Sequence, residues 1–341
     1  MRMARWKADE NVEIAHYHCI SRVVDRRFAL GDEEKEHFLR LMRGYEAFCG
    51  VRVVSFCCMS NHFHILVEVP RRPPPEGLPD DQQLVGLLRK AGSSYGADTL
   101  KQNLDRFREA GQDAAAEELK ERFYVRMWDV SWFMKMLKQR FSQWFNKRYN
   151  RKGTLWEERF RSVLVEGAGS ALATIAAYID LNPIRASMMS DPKDYRWSSY
   201  GEAVGGGRLA REGLRVAMQA RLGHPVAPNR VMAEYRALLF DSGAARQPGR
   251  NGEKGRAGFS REEIQEVLAK GGELDLVDAL RCRVRYFCDG AIFGSRAFVD
   301  RFFASHRKHF SSTRQTGARK LVGIRAPDLF VARALQVQPI K

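Results

Sequence analysis

Apolar and polar residues alternate with a period of two in several short stretches of the chain, and they recur with helical spacing in several longer ones. The first pattern predicts strands with one buried face, and the second predicts amphipathic helices. The tripeptide Met59-Ser60-Asn61 separates two of the strands and is short enough to be the turn of a hairpin. The predicted strands cover residues 12–21, 51–59, 62–69 and 161–166, and the predicted helices cover residues 32–49, 131–151 and 170–181.

Polar and glycine-rich stretches divide the rest of the chain. Residues 76–127 have a helical pattern but few large apolar positions, which predicts a helical insertion outside the core of a domain at 10–200. Residues 201–258 contain two stretches rich in glycine and predict a flexible linker. The linker would lead to a basic accessory module at 259–341. We therefore expect an α+β fold, in which a small antiparallel sheet with packed helices is followed by a mostly helical C-terminal module.

The accessory module is rich in arginine and contains a helix start signal. Gly294 and Ser295 precede a helical pattern as a turn and an N-cap residue do. This arrangement is consistent with a DNA reader of the helix-turn-helix type, and a packing or regulatory module is nearly as good an interpretation.

The charge balance points to a class of partner. The chain has 57 Lys and Arg against 41 Asp and Glu, a formal charge of +16, which favours a polyanion and most commonly nucleic acid. Residues 131–152 contain seven of these cations, no acidic residue and interleaved aromatic residues, a mixture that suits single-stranded nucleic acid. The alternative interpretation is an amphipathic helix whose aromatic residues pack in the core and whose cations face solvent. For Trp144 and Phe145 we prefer this core position. The predicted DNA-binding residues are Lys147, Arg148, Arg151, Lys152, Trp156, Arg159, Arg22 and Arg26.

Several other classes of protein are not expected. No apolar run approaches the roughly 18 residues that a membrane-spanning helix needs, and the first residues are charged without an apolar signal core. The six cysteines are scattered and suit a reducing compartment. We expect a cytoplasmic, nucleoid-associated protein.

Candidate chemistry is concentrated in His62-Phe63-His64. Strand alternation places the two histidines on one face, about 7 Å apart from a rise of about 3.3–3.4 Å per residue, so that both can chelate one cation. A polar strand face with incidental histidines is the alternative on spacing alone. His16 and His18 also share a strand face, but no motif pairs with them, and we expect them to be satisfied or exposed.

A second candidate element follows at residues 178–183. On a helix, Tyr178 and Asn182 lie four residues apart and share one face, and Pro183 ends or kinks that helix. A tyrosine hydroxyl can attack phosphorus when a metal ion withdraws charge from the phosphate. For an arbitrary helical tyrosine, a half-buried place in the core is the commoner interpretation.

Together these residues resemble a known family. The His-hydrophobic-His triplet, the pattern Tyr-x-x-x-Asn-Pro-x-Arg-Ala at 178–186 and the segment Asp194-Tyr195-Arg196-Trp197-Ser198-Ser199-Tyr200 resemble REP-associated tyrosine transposases. These proteins are relatives of the insertion-sequence-200-like single-tyrosine transposases in the HUH nuclease superfamily. The resemblance covers about residues 10–200.

The resemblance implies a role for each of four residues. His62 and His64 match the family's metal ligands, Tyr178 matches its nucleophile, and Asn182 stands where the family places a third polar ligand. The implied cofactor is a divalent ion, Mg²⁺ or Mn²⁺. Two histidines and an amide suit Mn²⁺ better, so phosphate oxygens and water must complete the ligand shell of Mg²⁺.

Two carboxylates near these residues are weaker ligand candidates. Asp180 is two residues from the tyrosine on the same helix and should point elsewhere. Glu68 lies on the same strand face as the two histidines but four residues beyond His64, and it is the second choice as a metal ligand.

The implied function is that of a metal-dependent single-stranded DNA endonuclease and strand transferase, a transposase that acts on hairpin-forming repeats through a 5′-phosphotyrosine intermediate. A non-catalytic DNA- or RNA-binding regulator and a nuclease that uses water are the alternatives. The expected partner is single-stranded or hairpin DNA. Insertion-sequence relatives work as dimers that exchange nucleophile helices, whereas REP-associated relatives need not form such dimers. The resemblance therefore leaves open whether this chain forms a homodimer.

Overall fold

The structure is a computed structural model that describes residues 6–9, 11–240, 273–333 and 340. Its centre is a seven-stranded, mostly antiparallel sheet with the strand order β2-β3-β1-β4-β6-β9-β7, and β5 pairs separately with β8. The strands are β1 (Ile14–Arg22), β2 (Arg52–Cys58), β3 (His62–Pro70), β4 (Arg161–Val165), β5 (Leu274–Asp275), β6 (Ile292–Gly294), β7 (Arg319–Lys320), β8 (Ile324–Arg325) and β9 (Phe330–Val331).

Helices pack on both faces of this sheet and beside it, which confirms the α+β class. Among the described residues, no helix has the length and apolar character needed to span a membrane. The helices are α1 (Asp32–Cys49), α2 (Asp81–Lys90), α3 (Ser94–Glu109), α4 (Asp113–Tyr124), α5 (Val130–Arg148), α6 (Ala171–Asp180), α7 (Asn182–Arg185), α8 (Ser199–Val204), α9 (Arg208–Leu222), α10 (Pro228–Phe240), α11 (Leu276–Leu280), α12 (Tyr286–Asp289) and α13 (Arg296–Ser305).

The predicted hairpin and its neighbours are confirmed, with strand ends that shift by at most two residues. β2 and β3 pair antiparallel, with Cys57 opposite His64, and the other edge of β3 pairs with β1. There Arg22 lies opposite His62 and Ile20 opposite His64. Directly opposed residues of an antiparallel pair share one face, so β1 and β3 present a common polar face.

The two faces of the sheet are covered by different helices. On one face Phe63 packs against Phe38 of α1, with ring centroids 4.6 Å apart, and Phe141 of α5 lies beyond it. On the other face α6 covers β2 and β3, and Ser55 donates a weak hydrogen bond to the carbonyl of Ala176, 3.4 Å away. The histidines of β3 therefore lie under α6, away from α1 and α5.

The bounds of α1 were predicted correctly because both ends carry strong signals. The backbone N–H of Gly31 donates to the Glu34 side chain at 2.8 Å, and acidic residues fill the first turn. At the other end Gly50 adopts a φ of +61°, the left-handed conformation that ends many helices.

The predicted insertion at 76–127 is helical, as expected, but it joins the hydrophobic core. Leu84 and Leu100 are buried, and α2 packs directly on α1. A Cβ at Gly44 would lie 2.5 Å from the carbonyl oxygen of Lys90, so the two helices touch through their backbones. The insertion thus lies on the face of the sheet opposite the histidines.

The prediction of a flexible linker at 201–258 is wrong for its first part. Residues through Phe240 form α8, α9 and α10, and each of these helices buries some of its side chains, Tyr235 among them. The glycines between α8 and α9 cap the two helices and form a tight turn between them. Residues 241–258 lie outside the described residues.

The prediction of a separate, mostly helical module at 259–341 also needs correction. β6 pairs parallel with β4 through Leu164 and Ile292, and β9 and β7 extend the same sheet. The short apolar run around Ile292 carries no periodic strand signal, and it is buried because β4 and β9 pair with its two edges. The predicted helix start is confirmed, since Ser295 Oγ accepts from the backbone N–H of Phe298. However, a strand precedes this helix, so the segment is not a helix-turn-helix.

We predict that Gly213→Ala lowers the free energy of unfolding by about 1–3 kcal/mol. Helix α9 runs along the edge strand β2, and a Cβ at Gly213 would lie 2.5 Å from the carbonyl oxygen of Val54. Urea unfolding measures the change. Gly86→Ala in α2 is the matched control, because its Cβ would have no neighbour within 4 Å. The control should leave stability unchanged or raise it by about 0.5–1 kcal/mol, and an equal loss in both variants would contradict the packing argument.

Candidate active site

The polar face of β1 and β3 brings three histidines and a tyrosine together. The rings of His62 and His64 are nearly perpendicular, with centroids 5.2 Å apart. Tyr178 of α6 stands edge-on to His64 and to His18, with centroid distances of 6.2 and 6.4 Å. The predicted nucleophile and the two predicted metal ligands are therefore neighbours in the structure.

The protonation of His62 is determined by its neighbours. Its Nδ1 lies 2.7 Å from the side-chain oxygen of Asn61, whose amide nitrogen donates to the carbonyl of Arg26. Burial, with Arg22 and Arg185 nearby, lowers the pKa of His62 to about 3. A neutral His62 therefore donates through Nδ1 and keeps the lone pair of Nε2.

His64 is buried and engaged through Nδ1. Its Nδ1 lies 2.8 Å from Nε2 of His18, and Nδ1 of His18 lies 2.8 Å from the carbonyl oxygen of Phe287. Burial, followed by the neighbouring histidines, holds the pKa of His64 well below its ordinary value, and burial lowers the pKa of His18 to about 4. The expectation that His18 is a satisfied strand histidine is confirmed, and its partner His64 is supplied by the strand register and not by a sequence motif.

The junction of α6 and α7 supplies Asn182. Helix α6 ends at Asp180, and Pro183 is the second residue of the short α7, as its sequence position predicts. The amide nitrogen of Asn182 donates to the carbonyl of Ile179 at 3.0 Å. The Asn182 side chain lies close to His62 and acts to raise its pKa, as an oxygen near the ring does, so the amide oxygen is directed at the histidine site.

Tyr178 is almost entirely enclosed, with 2% of its surface exposed. Its hydroxyl lies 3.6 Å from Sγ of Cys288, and the ring of Phe287 packs against it with a centroid distance of 4.9 Å. The guanidinium of Arg185 lies 3.9 Å from the ring centroid and is held by the carbonyls of Tyr178 and Leu280. Burial, with Cys288 nearby, raises the pKa of Tyr178. The phenol is thus protonated and covered by α12.

The two carboxylates have partners other than His62 and His64, and Glu68 lies 3.4 Å from Nε2 of His16. Asp180 accepts hydrogen bonds from the backbone N–H of Tyr200 at 2.9 Å and from the hydroxyl of Tyr235 at 2.7 Å, and burial raises its pKa to about 7. Glu68 accepts from Arg52 at 2.7 Å. Both carboxylates belong to structural hydrogen-bond networks.

The side chains present fit a divalent ion that is only partly held by protein. Within the described ranges, no three His, Cys, Asp or Glu side chains converge closely enough to hold a metal. The site instead offers Nε2 of His62, Nε2 of His64 and the amide oxygen of Asn182. Imidazole and amide ligands suit Mn²⁺ better than Mg²⁺, and phosphate oxygens and water would fill the remaining positions.

Positive charge surrounds this site. Arg22, Arg185 and Arg283 all lower the pKa of His62, and burial together with Arg283 lowers the pKa of Arg22. A small cavity beside β1 is lined by Ser21, Arg22, Arg159, Arg161, Arg283 and Cys288, among others. An anion such as a DNA phosphate would be attracted to this opening.

The first part of the chain, which contains the histidines, is similar to a known family. Residues 11–77 match the family model described as "Transposase IS200 like". Because of this similarity we call residues 11–77 the IS200-like segment. The IS200-like segment contains β1, β2 and β3, and with them His18, His62 and His64. Tyr178 and Asn182 lie outside the matched residues.

The full sequence was also compared with curated proteins and with solved structures. No curated protein matches it. One similar solved structure is described as "Structure of the REP associates tyrosine transposase bound to a REP hairpin". It is 12% identical, the match covers 60% of this chain and 87% of that one, and the TM-score is 0.37.

The cations predicted to bind DNA at the end of α5 lie in different environments. Lys147 and Lys152 are exposed. Arg148 forms an ion pair with Glu33 of α1, which is part of the IS200-like segment. The guanidinium of Arg151 lies 5.6 Å from the ring centroid of Phe145.

The prediction that Trp156 contacts DNA conflicts with its place in the structure. Only 6% of the residue is exposed, its Nε1 donates to the carbonyl of Lys138 at 3.1 Å, and its ring packs against Phe63 of the IS200-like segment and Phe141. Little of its ring is therefore left on which a base could stack. The apolar neighbours that bury it are distant in sequence.

A groove between α5 and the loop before β4 places other cations near the site. Its volume is about 670 Å³, and Trp132, Lys135, Lys138 and Arg159 are among the residues that line it. Arg159 also borders the cavity beside Arg22, so it lies between the groove and the site at the IS200-like segment. Arg26 and Arg159 are exposed and Arg22 is half-buried.

Three residues at or near the site were not among the predicted site residues: His18, Arg283 and Lys135. His18 had only a shared strand face as a signal, and its partner depends on the register between β1 and β3. Arg283 approaches the IS200-like segment because residues 273–333 join the sheet at β4. Lys135 was recognised within a basic stretch, but nothing in that stretch indicates which cations face a groove.

Proposed function

We propose that this chain is a metal-dependent single-stranded DNA endonuclease and strand transferase, a tyrosine transposase that acts on hairpin-forming repeats. One observation carries the proposal: His62 and His64 of β3 converge with Tyr178 and Asn182 of the α6–α7 junction on one face of the sheet. The match of residues 11–77 to IS200-like transposases supports the same reaction class.

In the proposed reaction Tyr178 replaces one oxygen on a DNA phosphorus atom. Its phenolic oxygen forms a bond to phosphorus while the bond from phosphorus to the 3′ oxygen breaks. The phenol loses one proton and the leaving oxygen gains one. The products are a 5′-phosphotyrosine and a free 3′-hydroxyl, and because the bond energies are similar, the reverse reaction can rejoin a strand without an external energy source.

The metal site supports this reaction electrostatically. His62, His64 and Asn182 would hold the ion, which would supply charge neutralisation at the scissile phosphate. Arg22 and Arg283 add fixed positive charge beside the same place. These residues draw the phosphate towards the tyrosine and hold it there.

One observation favours a second candidate, a non-catalytic DNA-binding regulator. The hydroxyl of Tyr178 is buried against Cys288, so residues of α12 must move before DNA can reach it. A regulator that had lost the reaction would have no need for such a movement.

An assay with labelled DNA distinguishes these candidates. Single-stranded hairpin oligonucleotides from repeats that flank the gene, labelled at either the 5′ or the 3′ end, are incubated with Mn²⁺, Mg²⁺ or EDTA. A 5′-phosphotyrosine transfers only the 3′ label to the denatured protein and leaves the 5′ label on a free, shorter strand. Tight binding without cleavage would favour the regulator, and release of both labels from the protein would favour a water-using nuclease.

We predict that Lys135→Ala combined with Arg159→Ala weakens the binding of single-stranded DNA. Both cations line the groove that leads to the site. Removal of two phosphate contacts should lower the slope of log Kd against log salt by about 1.4, at about 0.7 per contact. Fluorescence anisotropy over a salt series measures the slope.

Matched double variants provide the comparison for this prediction. Lys90→Ala with Arg106→Ala removes two exposed cations from α2 and α3, on the face opposite the histidines, and should leave the slope unchanged. Lys147→Ala with Lys152→Ala tests the end of α5 in the same way. A change in the slope as large for the α2–α3 pair as for the groove pair would mean that binding follows net charge alone.

A further inference from the structure

His18 forms a chain of hydrogen bonds that ends at a proposed metal ligand. It is fully buried on β1, and its two ring nitrogens have different partners. Nδ1 lies 2.8 Å from the carbonyl oxygen of Phe287, and Nε2 lies 2.8 Å from Nδ1 of His64. The proposed function assigns no role to His18.

The chemistry of these partners determines the position of every proton in the chain. A carbonyl oxygen only accepts, so Nδ1 of His18 must carry a hydrogen. A neutral imidazole has one N–H, which leaves Nε2 of His18 as an acceptor. His64 must then donate through its Nδ1, and its own lone pair is on Nε2. Burial favours the neutral form of both rings.

We propose that His18 is a positioning residue that fixes the tautomer and ring orientation of His64, so that Nε2 of His64 faces the metal. The carbonyl of Phe287 orients His18 in turn. This inference rests on the proposed function, in which His64 is a metal ligand. It gives residues 286–289 a role at the site, because the carbonyl at the end of the hydrogen-bond chain belongs to α12.

Removal of the hydrogen-bonding partner of a metal-binding histidine commonly lowers metal affinity by about 10–100-fold. His18→Phe keeps a planar ring of similar volume but has no acceptor for the Nδ1 hydrogen of His64. His18→Gln places a carbonyl oxygen near the former position of Nε2 and can still accept that hydrogen. The two variants therefore separate the hydrogen bond from the packing.

Direct binding of Mn²⁺ to the DNA-free protein tests the inference. Electron paramagnetic resonance of free Mn²⁺ gives the dissociation constant for the wild type and each variant. We expect His18→Phe to raise it by about 10–100-fold and His18→Gln by only a few-fold. Equal affinity of His18→Phe and wild type would overturn the inference. If His64→Ala binds Mn²⁺ as the wild type does, the metal site of the proposed function fails instead.

Nitrogen NMR of the imidazole rings tests the tautomer without any metal. The wild type should show His64 protonated at Nδ1, and His18→Phe should lose that preference. His62 is the internal control, since Asn61 and not His18 determines its tautomer. A wild-type His64 protonated at Nε2 would overturn the inference even if neither variant folds.

Discussion

Tyr178→Phe should abolish both the cleavage of single-stranded DNA and its covalent attachment to the protein, a loss of at least about 10³-fold in rate. The substitution removes only the attacking oxygen. The phenylalanine ring keeps its packing against Phe287 and His64, and the lost hydroxyl contact is a weak one to Cys288 at 3.6 Å. The free energy of unfolding should therefore change by less than about 1 kcal/mol.

A second buried tyrosine provides the matched control for this experiment. Tyr200 is as enclosed as Tyr178, and its hydroxyl accepts a hydrogen bond from Arg236 at 3.1 Å, away from the histidines. Tyr200→Phe should cleave and attach DNA as the wild type does. The denaturing-gel assay measures the released strand through the 5′ label and the covalent attachment through the 3′ label. Undiminished cleavage by Tyr178→Phe, without any attachment, would replace the tyrosine mechanism with a water-using one.

The strands around the site could be predicted because local pattern and tertiary environment agree there. In β3 the odd-numbered side chains from Phe63 are apolar and face α1, whereas His62 and His64 face α6. Alternation alone therefore located the two histidines on one face. It could not locate His18 relative to them, because their contact depends on the register of β1 against β3.

The parts of the site that come from the end of the chain could not be predicted from local patterns. Phe287 and Cys288 reach Tyr178 only because β6 pairs with β4, and that pairing consists of a few residues with no alternation. The prediction of a flexible linker from residue 201 was wrong for a related reason. Glycines between helices signal a break in the chain, but a break can be a tight turn between packed helices such as α8 and α9.

Removal of either proposed histidine ligand should also strongly reduce DNA cleavage. His62→Ala and His64→Ala should each lower metal-dependent cleavage by at least about 10³-fold, since each removes one of the two neighbouring imidazoles that we propose as ligands. Binding of hairpin DNA should change only a few-fold, because Arg22, Arg159 and Arg283 remain. Cleavage rates across a Mn²⁺ series and anisotropy at fixed salt measure the two quantities separately.

The two histidine variants differ in what they do to the fold, and this difference makes the test sharper. His64 is fully enclosed and donates to His18, so its removal also leaves a buried acceptor without a donor, at a cost of about 1–3 kcal/mol. His62 hydrogen-bonds Asn61 at the start of β3, so His62→Ala should lower the free energy of unfolding by less. His224→Ala, an exposed loop substitution, is the control.

If cleavage in EDTA equals cleavage in Mn²⁺, or if His62→Ala retains activity while folded, the histidines do not hold the catalytic ion. Tyr178 would then have to act with the surrounding arginines alone.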